Sequence, residues 1–189
     1  MSFFTLKHRK LTCHIYFTLY GSAVVVMAVF MLVASPHERL LEVVAFVLVG
    51  LGSWTAIEYA MHRFVLHGLQ PFRRWHAEHH QRPKVLIRGT VILSATLIAI
   101  LIIFPALLLG DFWRACALSL GLLTGYLGYA LTHHAIHHWH IYTPWLKERK
   151  RWHVLYHHHS EQPGCYGVTS SFWDHIFGSM PRAVMPTSC

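Results

Sequence analysis

Gly125-Tyr-Leu-Gly-Tyr-Ala-Leu-Thr-His133-His-Ala-Ile-His137-His138 carries the chain out of an apolar run, residues 115–132, and into a cluster of histidines. No Asp, Glu, Lys or Arg lies between Arg114 and His133. A run of that length is read as a helix able to cross a bilayer. Gly121, Gly125 and Gly128 suit it, because small residues let membrane helices approach closely. If the helix continues past the run, His133 and His137 stand at i and i+4 on one face. A single helix would then cross a membrane and end in paired imidazoles.

Three further apolar runs precede it. Residues 15–34 and 89–109 carry no charge, and residues 40–59 carry only Glu42 and Glu58. A basic start precedes the first run. The run is nonetheless too long for a signal-peptide core and lacks a small-residue cleavage site, so it reads as a retained span. The last two runs read as two spans, with a bent re-entrant pair as the alternative. The expected fold is an all-α integral membrane protein: four transmembrane helices capped by a histidine-rich helical lobe, residues 60–88 and 133–189. The whole chain, 1–189, reads as a single membrane-embedded domain.

Composition agrees with that class. Among 189 residues 54% are hydrophobic and 13% charged, about half the share usual in soluble domains, which argues against both a soluble globule and disorder. The net charge of +8 could suit nucleic acid, but the cations sit in short groups beside the apolar runs, which is a membrane-topology pattern. All of the 16 Lys and Arg except Arg39 and Arg114 fall at the N-terminus, in 60–88 or in 133–189. The positive-inside rule places those segments, and both termini, in the cytoplasm. Cys13, Cys116, Cys165 and Cys189 form no C-x-x-C pair and give neither a disulfide framework nor a thiolate zinc site.

Most of the 18 histidines fall in four groups: His62 and His67; His76, His79 and His80; His133 to His140; and His153 with His157 to His159. Helical spacing lets His76, His79 and His80 share a face, and likewise His153 and His157. His62 and His67 are five apart, so the helix must end or loosen between them. About ten ligands exceed the four of one zinc and suit two metals, of a kind that imidazole favours: Fe, Zn, Cu or Ni. Glu58, Glu78, Glu161 and Asp174 are expected to hydrogen-bond ligand N–H groups from outside the metal sites. His134, His138, His140 and His175 fit interfacial polar residues. Phe64, Trp75, Trp139, Tyr142, Trp145 and Trp152 fit an interfacial aromatic belt, with a lining for a lipid entrance as the alternative.

In this order the groups resemble the fatty acid hydroxylase/sterol desaturase superfamily. The resemblance rests on Glu58-Tyr59-Ala-Met-His62-Arg63-Phe64-Val-Leu-His67, His76-x-x-His79-His80 and Gly125-Tyr126-x-x-Tyr129-x-x-x-His133-x-x-x-His137-His138. It continues with Lys150-Arg151-Trp152-His153-x-x-x-His157-His158, Tyr166-Gly167-Val168-Thr169-Ser170 and Phe172-Trp173-Asp174-x-x-Phe177-Gly178. It implies a di-iron centre held by His62, His67, His76, His79, His80, His133, His137, His153, His157 and His158, in which zinc can replace iron on purification. His138 and His159 are alternate ligands, and Glu58 and Asp174 are supporting groups. It also implies an O2-dependent hydroxylase of a lipid, foremost a fatty acyl chain, free or in a complex lipid such as a sphingolipid. Sterol, isoprenoid or carotenoid hydroxylation or desaturation is the alternative, and a non-enzymatic membrane metal-binding protein is the alternative of another class. No length is spare for a haem domain, so electrons are expected from a separate cytochrome b5, ferredoxin or reductase-type protein. Two departures stand out: Ala130 where many members have Asp, and three residues rather than two before the last histidines. Phe172, Trp173, Asp174 and Gly178 offer no metal-binding logic and read as packing for the C-terminal lobe.

Overall fold

The computed structural model describes residues 3–81, 96, 99, 103–140, 143–158 and 164–180, with side chains described except at 3–13, 79–81, 105, 109 and 154–158. Every regular element among the described residues is helical. The order is α1 (Phe3–Ala34), a 3-10 turn (His37–Arg39), α2 (Leu40–Ala60), a π-helical turn (Met61–Leu66), α3 (Phe72–Gln81), α4 (Phe104–Leu109), α5 (Phe112–His138), α6 (Pro144–His158) and α7 (Phe172–Ile176). Three stretches are long and apolar enough to cross a membrane: His14–Ala34, His37–Leu66 and Phe112–His138. They contain the predicted spans 15–34, 40–59 and 115–132. The predicted span 89–109 falls largely outside the described residues; its end, α4, is helical. Val33 is 81% exposed and Leu41 86%. Water would not tolerate so much apolar surface, whereas lipid does. The chain is a multi-pass membrane protein.

The chain forms two compact units: residues 1–54 with 86–128, and residues 55–85 with 129–189. In the first, Met31, Val43 and Ala117 are buried, with Phe46, Val47, Trp113, Cys116 and Leu120 packed against them. Gly50 of α2 and Gly121 of α5 make the closest helix approach. A Cβ on Gly121 would collide with the Val47 carbonyl oxygen and stand 3.0 Å from Gly50 Cα. One turn on, a Cβ on Gly125 would lie 2.6 Å from Trp54 Cβ. The Gly121-x-x-x-Gly125 spacing therefore works as a small-residue contact stripe. Overpacking costs about 1–3 kcal/mol where side chains can give, and here the obstacle is backbone. Gly121→Leu is expected to exceed that range and abolish a monodisperse peak in detergent. Gly128→Ala, with open space around it, should leave the peak intact.

The two expected hairpin joints, residues 35–39 and 110–114, meet in this unit. Arg39 Nη2 lies 2.8 Å from Asp111 Oδ1, and Glu42 takes the guanidinium nitrogens of both Arg39 and Arg114. Asp111 also caps α5, accepting the Trp113 amide at 2.9 Å. The only two cations that positive-inside counting leaves on the far side are thus bound to carboxylates.

In the second unit the π-turn resolves the five-residue spacing. His67 N donates to His62 O at 3.1 Å, an i to i+5 bond. That wider turn brings positions five apart round to the same face, and such turns recur at functional sites. Beyond α6, residues 164–171 form a loop without regular structure that α7 closes. Asp174 at the first turn of α7 is fully buried. Trp173 Nε1 donates to Thr55 Oγ1 at 3.0 Å, and Gly178 takes a φ of +62°, a conformation glycine adopts without strain. Trp173 and Asp174 thus tie α7 into the unit, whereas Phe172, expected to pack with them, is exposed and Gly178 supplies a turn rather than packing.

Candidate metal centre

Two groups of three imidazoles converge in the second unit. In the first, His62 comes from the π-turn, His67 from the residue that ends it and His76 from α3. In the second, His133 and His137 come from the end of α5 and His153 from α6. Within each group the ligating nitrogens lie within 4.8 Å of one another. His62 Nε2 and His76 Nε2 are 3.0 Å apart; His137 Nε2 is 3.3 Å from His133 Nε2 and 3.0 Å from His153 Nε2. Two nitrogens each about 2.1 Å from one metal stand about 3.0–3.4 Å apart for angles between about 90° and tetrahedral. These three pairs are spaced as nitrogens on one ion would be.

Protonation agrees. His62 Nδ1 lies 2.5 Å from the Tyr166 carbonyl oxygen, an acceptor only. Nδ1 therefore carries the proton and Nε2 presents its lone pair to His76. Burial, then His62, then Arg73, pushes the His67 pKa down to about 4, so this ring is neutral at physiological pH, the form that binds metal. His62, His76 and His153 are buried, which limits competing water. Three imidazole nitrogens per group, with no thiolate among them, make a donor set that fits a divalent transition metal at each.

The fatty acid hydroxylase family profile matches residues 46–179, which hold both groups. The chain belongs to the fatty acid hydroxylase family. It is 35% identical over 141 residues to the dihydroceramide fatty acyl 2-hydroxylase FAH2 of Arabidopsis thaliana, covering 70% of this chain and 59% of that protein. It is 33% identical over 150 residues to the ceramide very long chain fatty acid hydroxylase scs7 of Schizosaccharomyces pombe, covering 72% of this chain and 42% of that one. Among solved structures it is similar to full-length scs7p, of which only the hydroxylase domain is visible. The TM-score is 0.73 at 27% identity, covering 91% of this chain and 67% of that one. The chain thus spans about half of the length of these curated relatives.

This member of the fatty acid hydroxylase family differs from its sequence-based expectations in how the carboxylates act. Among the described residues neither Glu58 nor Asp174 bonds an imidazole. Glu58 accepts from Val168 N at 2.6 Å, Thr169 N at 2.8 Å and Thr169 Oγ1 at 2.5 Å. Asp174 accepts from Tyr166 N and Gly167 N, each at 2.8 Å, and from Ser179 Oγ at 2.7 Å. The reason is competition: the loop brings buried backbone N–H groups that need acceptors, and a carboxylate accepts several. Glu78 is exposed and pairs with Arg74 at 3.5 Å. Glu161 lies outside the described residues.

Of the other ligand candidates, the side chains of His79, His80, His157 and His158 lie outside the described residues, as does His159. His138 is exposed and set beside His134, ring centroids 4.5 Å apart, on another face from the His133–His137 pair. His140 and His175 are exposed, as expected of interfacial residues. Phe64, Trp75, Trp139 and Trp145 are exposed, which suits the aromatic belt; Trp152 is half-buried and Tyr142 lies outside the described residues. Two cations of the basic groups have structural work. Arg149 is buried and reaches Ser171 Oγ at 3.4 Å. Arg63 bonds the Tyr59 hydroxyl and lies 5.7 Å over the Tyr166 ring. Sequence reasoning did not single out the Tyr166 carbonyl, because a backbone oxygen leaves no residue-type signal; the Tyr166–Ser170 motif was its only trace.

Proposed function

We propose that this chain is an O2-dependent di-iron hydroxylase of a lipid acyl chain. The observation that carries the reading is the pair of three-histidine groups, each with members at the end of a helix able to span a membrane, in a fatty acid hydroxylase family member. The names of its relatives point to ceramide-type or dihydroceramide-type acyl substrates. His62, His67, His76, His79 and His80 would hold one iron, and His133, His137, His153, His157 and His158 the other. Iron so bound supplies O2 reduction and C–H oxidation. The chain's own part is to hold neutral nitrogens in place, to bury His62, His76 and His153 away from water, and to present the site where α2 and α5 leave the apolar layer. An acyl chain can then reach it from the lipid side.

The two units work as one hydroxylase domain, with both termini and the metal site in the cytoplasm and four spans in all. Electrons come from a separate donor of the cytochrome b5, ferredoxin or reductase type. The exposed Lys147, Lys150 and Arg151 on α6, the helix of His153, suit an acidic docking face.

The test is mass spectrometry of total lipids from aerobic cells expressing this chain beside a metal-free variant. A ceramide or fatty acyl species heavier by one oxygen, seen only with the intact chain, is the expected result. A species lighter by two hydrogens would make it a desaturase. An oxygenated sterol or isoprenoid would replace the acyl substrate.

A further inference from the structure

The geometry points to Asp174 and Glu58 as positioning residues for the first metal group, acting on His62 through the backbone carbonyl of Tyr166. The inference rests on the reading of the histidine groups as metal sites, and names what sets one of them. The far nitrogen of His62 is held by its Nδ1–H bond to Tyr166 O at 2.5 Å. A backbone carbonyl can aim a ring only if its own peptide is fixed. Residues 164–171 have no helix or strand to fix it, and Cys165 sits at a φ of +54° just before it.

Two buried carboxylates supply what the ladder does not. Asp174 holds the amides on either side of that carbonyl, Tyr166 N and Gly167 N, one on each carboxylate oxygen. Glu58 holds the next two amides, Val168 N and Thr169 N, on a single oxygen. Four consecutive amides therefore point at two carboxylates. Glu58 stands one helical turn before His62 on the same chain segment, so the anchor and the ring it serves move together. Gly167 is the one position where a Cβ would enter the clamp, 2.9 Å from Asp174 Oδ2 and against the Ser170 carbonyl. Carboxylate–histidine–metal arrangements commonly fix ring orientation directly. Here the carboxylate acts one peptide away.

The chemistry separates the two residues. Asparagine at 174 must turn its NH2 toward a backbone N–H in either orientation, since both carboxylate oxygens accept from amides. Glutamine at 58 can keep its oxygen on both amides and turn its NH2 to the Thr169 hydroxyl, which then accepts. Asp174→Asn should therefore release His62 and Glu58→Gln should not; Glu58→Leu should resemble Asp174→Asn.

The experiment measures iron and zinc per folded chain by plasma mass spectrometry, with the release rate into excess EDTA, on full-length detergent-purified protein. A His137→Ala background, which disables the second group, makes the first group the sole reporter. In it, Asp174→Asn is expected to lose metal 10–100-fold faster, the range usual for groups behind a ligand, while Glu58→Gln keeps the parent rate. Thermal unfolding controls for a purely structural role, which would lower the melting temperature of both variants without sorting them by metal release. Gly167→Ala gives a second perturbation of the same clamp and should speed release too. Parent-like metal release in folded Asp174→Asn and Gly167→Ala overturns the relay alone. A wild-type chain that binds no metal overturns the relay together with the metal reading beneath it.

Discussion

His137→Ala is expected to remove the metal of the second group and lower lipid hydroxylation by more than about 100-fold, the upper end of what outlying partners of a ligand cost. His137 is the middle member: its Nε2 is 3.3 Å from that of His133 and 3.0 Å from that of His153. Its loss leaves two nitrogens that share no close neighbour through it. The neighbouring substitution His138→Ala is the control. The two residues are adjacent in sequence but about 100° apart around the helix, and His138 is exposed beside His134. It should keep both metal and most activity, as should His134→Ala. Metal content and oxygenated lipid, measured on protein that still inserts and elutes as one species, decide the matter. Equal losses in His137→Ala and His138→Ala would remove the second group as a metal site.

The same residues show what a sequence can and cannot reveal here. His133 and His137 were legible because helical periodicity is local: once the run 115–132 reads as a helix, i and i+4 must meet. His153 was legible as a ligand type, but its convergence on His137 is a contact between α6 and the end of α5 that spacing does not show. His62 and His67 announced a problem, a five-residue spacing that no regular α-helix satisfies, and the π-turn with its i to i+5 bond is the answer. Glu58 and Asp174 were read as partners of ligand N–H groups, whereas both are buried on loop amides. A sequence shows side chains and hides backbone N–H groups, and here four such groups in residues 166–169 took the carboxylates. Arg149 misled for a related reason: a cation in a basic run reads as surface charge until a fold buries it. Gly121 and Gly125 read correctly because close helix approach needs only the absence of a side chain, whereas Gly128, read with them, faces open space.

Reconstitution with iron rather than zinc should decide whether the chain turns over or merely binds metal. Protein stripped of metal by chelator is expected to be inactive. Fe(II) with O2 and a reducing donor should restore hydroxylation, while Zn(II) should bind and restore nothing. The donor set explains why binding alone cannot discriminate. Three imidazoles per group suit both ions, and His67, with its pKa pushed down to about 4, needs no proton removed at pH 7 to accept either. Zinc is redox-inert, so it fills the site without passing electrons to oxygen. Both ions should raise the melting temperature, since each binds the folded chain alone, by a linkage that grows with free metal concentration. Only iron should bring oxygen into lipid. Isotopic label from ¹⁸O2 appearing in an acyl chain with iron and not with zinc is the expected pattern. Stabilisation by both metals with label in neither, in the presence of ceramide and a competent donor, would turn the chain from an oxygenase into a metal-binding membrane protein.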